Sequence, residues 1–167
     1  MGFRNFSIWR GRLPHWRADG VCYYITFRHR RALDAGERHA LFVPLMRALA
    51  RLGDLRILAV QEEQTELMVQ VGDGVAGRPV EVSRVVESAK NRAGKQIAKA
   101  TGERFGPFYS ESYDRIVRDR VEFEERLLQV AQGGEPFEDS LWLPKPPLSR
   151  KGGRQNPRPP AECSAER

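Results

Sequence analysis

The chain has 167 residues, 40% of them apolar and 30% charged, and its 28 Lys and Arg outweigh 22 Asp and Glu to give a net charge of +6. That length suits one domain plus a tail, and the composition is too apolar for wholesale disorder. The basic excess points to a polyanionic partner, because clustered Lys and Arg gain affinity by displacing counterions from phosphates; charge alone does not separate DNA, RNA and an acidic membrane. Two cysteines, Cys22 and Cys163, exclude a disulfide framework and a cysteine zinc site. No stretch approaches the roughly 18 apolar residues of a membrane span, and the first residues contain no apolar run of signal-peptide length. The expectation is a cytoplasmic protein.

In chain order, Val21 to Arg28 is rich in β-branched and aromatic residues and follows the turn signal Asp19-Gly20, so it reads as a strand. Asp34 and Glu37 form a capping-box pattern, after which Leu41, Leu45, Leu49 and Leu52 recur at helical spacing until Gly53. Pro44 inside this helix predicts a kink or a split into two. Leu55–Gln61 and Thr65–Val71 predict an antiparallel hairpin. In its second strand Leu67, Val69 and Val71 share a core face, and Gln64, Glu66, Met68 and Gln70 share the other.

A long helix is predicted from Pro79 to Gly102. Val82, Val86, Ala89, Ala93 and Ile97 form its buried stripe, with Lys90 flanking it, and Arg84, Arg92, Lys95 and Lys99 form a basic stripe roughly opposite. An extended piece over Phe108–Val117 and a charged helix over Arg118–Gln132 follow. The order strand, helix, strand, strand, helix, strand, helix predicts an α+β fold: a ferredoxin-like (split βαβ) antiparallel sheet with helices packed on one face, plus an appended C-terminal helix. Residues 1–142 form the domain. Residues 143–167, rich in Pro, Gly and Arg, are expected to be a disordered basic tail.

Three segments carry a family resemblance: Arg12-Leu13-Pro14-His15-Trp16 leading into Gly20–Phe27, the hairpin Leu55–Val71, and Gly106–Leu128. In this order and spacing they resemble the REP-associated tyrosine transposases, relatives of the single-tyrosine insertion-sequence transposases in the HUH superfamily. The resemblance implies an antiparallel sheet flanked by helices, and a DNA partner that is hairpin or single-stranded. It also implies a site in which two strand histidines, one residue apart, hold a divalent metal, while a helix tyrosine attacks the scissile phosphate. This sequence departs from that site. Gln64 and Glu66 stand at the histidine positions, and Gln129 at the tyrosine's. Glutamine is a weak ligand and its amide is no phosphate nucleophile. The expectation is a DNA-binding pseudoenzyme that needs no cofactor.

Tyr113 offers a second reading, as a substitute nucleophile with magnesium or manganese held by Glu62, Glu63 and Glu66; Tyr109 is a further candidate for the same role. The plainer reading packs Tyr113 on the sheet and leaves the glutamates in water. For DNA contact the candidates are the basic stripe Arg84, Arg92, Lys95 and Lys99 and the amino-terminal cluster Arg10, Arg12, His15, Trp16 and Arg17. That cluster combines cations with a ring able to stack on an unpaired base. The stripe could equally be a solvated helix face, and Trp16 could pack on the sheet. His15, His29 and His39 are spaced too widely in sequence to suggest a metal site.

Overall fold

The computed structural model describes residues 6–10, 14–73, 81–133 and 141–143. Arg12, Pro79 and the expected tail from residue 144 onward lie outside these ranges. An amino-terminal hairpin, β1 (Ser7–Arg10) and β2 (Pro14–Arg17), is followed by β3 (Cys22–Arg28), α1 (Ala35–Leu49), β4 (Gly53–Val60), β5 (Gln64–Val71), α2 (Val82–Thr101), β6 (Tyr113–Ile116), α3 (Arg120–Gly133) and β7 (Leu141–Trp142). The main sheet has the order β6-β3-β5-β4-β7, and every neighbouring pair is antiparallel. The fold is α+β, as the order of predicted elements required.

Alternation along the strands divides the side chains between two faces. Tyr23, Ile25 and Phe27 of β3 join Leu67, Val69 and Val71 of β5 on one face, where Leu41, Leu45 and Leu49 of α1 and Val82, Val86, Ala89, Ala93 and Ile97 of α2 close the main core. The stripe read from the sequence is therefore the stripe that is buried. The opposite face carries Cys22, Tyr24, Ile57, Ala59 and Met68, and α3 covers it with Val130 and the partly buried Phe123 and Leu127. The expectation of helices on one face holds for α1 and α2, and α3 departs from it. The reason lies in the same alternation: Tyr24, Ile57 and Met68 are too apolar to leave in water, so the outer face needs a cover of its own.

Two punctuation residues act differently from their expected roles. Asp34 does cap α1, and the capping box with Glu37 forms, but the helix runs unbroken through Pro44 instead of splitting. Leu41 and Leu45, on either side of Pro44, are fully buried; anchoring both halves in one core outweighs the backbone hydrogen bond that proline removes. Gly53 does not stop the helix either. It opens β4, beyond the end of α1, where a Cβ would stand 2.0 Å from the Gln70 carbonyl oxygen. Gly102 serves as expected, ending α2 with a φ of 76°.

Gly53→Ala is expected to destabilise the protein by about 1–3 kcal/mol, since backbone is the colliding partner. Gly72→Ala, whose Cβ would meet nothing closer than 4.0 Å, is expected to be nearly neutral. Urea unfolding midpoints of the two variants check this, and equal midpoints would contradict the steric account.

Candidate nucleic-acid interface

Directly opposed residues form one row across the sheet: Tyr113, Thr26, Glu66, Ala59 and Leu141. Members of a row project to the same face, here the one that α3 covers. α3 stops short of covering the β6 end of this row, which leaves a cleft of about 460 Å³ lined by Gln64, Glu66, Tyr113 and Gln129, with Tyr24, Arg28, Tyr109 and Glu111. Gln64, Glu66, Gln129 and Tyr113, all singled out in the sequence, therefore converge on one place. Tyr24 was not singled out in the sequence, although it occupies the next outward position of β3 after Thr26.

The floor of the cleft is a closed hydrogen-bond network. Glu66 is buried, and its Oε1 accepts from the Tyr24 hydroxyl at 2.5 Å and from Gln129 Nε2 at 3.0 Å. Its Oε2 accepts from Gln61 Nε2 at 3.1 Å. Gln64 Nε2 in turn donates to Gln61 Oε1 at 3.3 Å. Gln129 is oriented from its other side, because its Oε1 accepts from Arg126 Nη1 at 2.7 Å. The Arg126 guanidinium also stands 4.9 Å from the centre of the Tyr24 ring. Burial, and then the bond to Glu66, push the Tyr24 phenol well above its ordinary range, so that hydroxyl stays protonated.

A divalent cation does not fit this donor set. Hard cations take about six oxygen ligands, whereas both carboxylate oxygens of Glu66 are engaged by N–H and O–H donors. Gln129 turns its amide nitrogen, not its oxygen, towards the carboxylate. Among the described residues no three His, Cys, Asp or Glu side chains gather where they could share an ion. Glu62 and Glu63 line a different groove from Glu66. His29 is a buried structural residue, its ring 2.8 Å from the Glu62 carbonyl and 3.0 Å from Thr65 Oγ1, and burial lowers its pKa.

One wall of the cleft is the segment 109–111, fixed by a side chain of α2. Lys90 is buried, and its Nζ donates to the carbonyls of Tyr109, Ser110 and Glu111 at 3.0, 2.8 and 3.0 Å while lying 4.8 Å from the centre of the Phe27 ring. Burial pushes its pKa from 10.5 down to about 8, and Glu87 and Glu111 oppose that shift. Just before this segment, Gly106 packs against Gly94 of α2 so closely that a Cβ on it would lie 2.6 Å from the Gly94 Cα. Phe108 is buried edge-on against Phe27 and His29.

The predicted cations fall into two groups. Arg84, Arg92, Lys95 and Lys99 are all exposed on α2. Arg84 and Arg92 line a groove of about 750 Å³ between α1 and α2, together with Arg47 and Arg51, which the sequence reading missed. Arg92 and Lys95 border the adjoining depression. Lys95 then borders a groove shared with Arg30 and Arg104, and Arg30 borders another, shared with Arg28, that also reaches Tyr109. Each groove shares lining residues with the next, so cations succeed one another from the outer helices to the mouth of the cleft. Lys99 lies outside this succession. Of the amino-terminal cluster, Arg10, His15 and Trp16 lie on β1 and β2, which form a two-stranded sheet of their own beside β6; their side chains, and Arg12 entirely, lie outside the described structure. Arg17 pairs with Glu81 at 3.0 Å, and Glu81 also pairs with Arg84.

No family model matches the chain, and no curated protein does. Among solved structures it is similar to that of a REP-associated tyrosine transposase bound to a REP hairpin, with a TM-score of 0.54 at 11% identity, covering 72% of this chain and 70% of that one. At that identity the likeness is one of fold. Among the described residues, no helix is long and apolar enough to cross a membrane.

The lowered Lys90 pKa has a consequence for stability. Between pH about 8 and 10.5 the unfolded chain keeps a proton that the folded chain has released, so this group makes stability rise with pH across that window. Lys90→Met is expected to lack that rise. Parallel stability curves for the two proteins, measured by urea unfolding through the window, would contradict the assignment.

Proposed function

We propose that this protein is a DNA-binding relative of the REP-associated tyrosine transposases that holds hairpin or single-stranded DNA without cutting it. The observation that carries the reading is the succession of cations from Arg84 and Arg92 through Lys95, Arg104 and Arg30 to Arg28, interspersed with Glu87, Glu62 and Glu63, at the mouth of a cleft whose floor is a hydrogen-bonded Glu66. Such a track suits a phosphate backbone. The neighbour's fold supports the same reading, as does its hairpin ligand. The ferredoxin-like split order also belongs to this proposal. It is supported by the position of β3 between β5 and β6, with a helix following each of β3 and β5.

The loss of cleavage is supported by the engagement of Glu66 with Tyr24, Gln129 and Gln61. A competing reading, a nickase using Tyr113, has one observation in its favour: Tyr113 is 45% exposed and lines the same cleft as Glu66. Incubating the protein with single-stranded hairpin DNA and manganese discriminates between the two. The binding reading expects no covalent protein-DNA band, whereas a band abolished by Tyr113→Phe would establish the nickase.

For binding itself, titration of a labelled hairpin oligonucleotide is expected to give an affinity that falls steeply with salt. The variant Arg92→Ala/Lys95→Ala should bind more weakly and should shallow the slope of log K against log salt by about 1 for each phosphate no longer neutralised. Absence of binding by the unmodified protein at low salt would overturn the proposal.

A further inference from the structure

The groove between α2 and the segment 104–110, of about 360 Å³, combines features that the phosphate track alone does not use. Phe105 and Tyr109, both at its border, are 63% and 52% exposed. A large ring in water gains nothing for the fold, and here two of them lie within five residues. Each carries a guanidinium on its ring: Arg104 at 5.2 Å from the Phe105 centroid and Arg30 at 5.4 Å from the Tyr109 centroid. No Asp or Glu lines the groove, whereas Arg30, Lys90, Lys95 and Arg104 do.

We propose that this groove is a stacking platform for unpaired DNA bases, with the rings of Phe105 and Tyr109 receiving the bases and Arg30, Arg104 and Lys95 meeting the flanking phosphates. The proposal rests on the DNA-binding reading above and deepens it by naming single-stranded DNA as what this part of the surface holds. Stacking requires a flat π-face and does not require a particular base, so an aromatic pair beside cations is the chemistry that grips a single strand without reading its sequence. A guanidinium on one side of a ring keeps that ring oriented while serving the phosphate next to it. A duplex, whose bases are already stacked on one another, offers these rings nothing comparable.

The platform is also built to stay in place. Gly106 is locked against Gly94, Phe108 is sunk into the core, and the Lys90 ammonium holds the three carbonyls of residues 109–111. The backbone between the two rings is therefore ordered before any ligand arrives, which lowers the entropy lost on binding.

The test compares two single-stranded oligonucleotides of equal length, one intact and one abasic through its middle, by fluorescence anisotropy. The protein is expected to bind the intact strand about tenfold more tightly. Phe105→Ala/Tyr109→Ala should lose that preference while keeping the salt dependence of the parent, and Phe105→Trp/Tyr109→Trp should restore it. Thermal melting by circular dichroism confirms that the variants fold, as expected for exposed side chains. Equal binding of both strands by the parent, or a preference that survives the alanine pair, overturns the platform while leaving DNA binding intact. Binding of neither strand at low salt removes both readings.

Discussion

The ammonium of Lys90 is the point on which the arrangement of the candidate interface depends. After Phe108 bridges to His29, the chain leaves the sheet and rejoins it only at Tyr113. In between, three successive carbonyls turn inward to one Nζ. Without that donor the segment would lose three hydrogen bonds to a charged group, each contributing about 1.5–3 kcal/mol. The segment so fixed contributes to both the cleft and the stacking groove, so one buried cation sets the geometry of two neighbouring surfaces. Its charge is tolerated because carbonyl dipoles and the Phe27 ring take the place of water around it.

The cleft floor follows a complementary logic. A buried carboxylate needs donors, and Glu66 finds three in Tyr24, Gln129 and Gln61, all of them neutral. Gln129 brings α3 into the arrangement, and Gly133, a turn further on, leaves room for Gln61: a Cβ there would stand 2.5 Å from Gln61 Nε2. The network therefore fastens α3 to the sheet as well as satisfying an acid. A cation at Glu66 would have to displace all three donors and would inherit amide nitrogens as neighbours.

Much of this was legible in the sequence, for identifiable reasons. Helical spacing of Leu41, Leu45 and Leu49, and of Val82 through Ile97, gives the core directly, because burial of those stripes is what forms the helices. The alternation of Gln64, Glu66 and Met68 gives the polar face of β5. Period and pattern do not tell which face a final helix covers, since that depends on how much apolar surface the first two leave bare; hence the side taken by α3 was not legible. Pro44 and Gly53 carry local signals that are real but are overridden by tertiary partners, Leu41 and Leu45 for the first and Gln70 for the second. Arg30, Arg104 and Phe105 give no local signal at all. They come together only when the segment after α2 folds back on that helix through the Gly94 and Gly106 contact, a meeting that glycines permit but do not announce.

Holding DNA and cutting it place opposite demands on the charge of a site. Cleavage needs concentrated positive charge at the scissile phosphate, supplied by a metal and its ligands, together with a nucleophile free to ionise. Here the floor of the cleft is a hydrogen-bonded acid beneath a phenol kept protonated, and positive charge is distributed outside it, along grooves running from the outer helices to the cleft mouth. Distributed charge binds a backbone over several phosphates without singling one out. The rings of Phe105 and Tyr109 add grip at the point where that track meets the cleft wall. Under the proposed reading, a strand led along such a path is held by its backbone and its bases together.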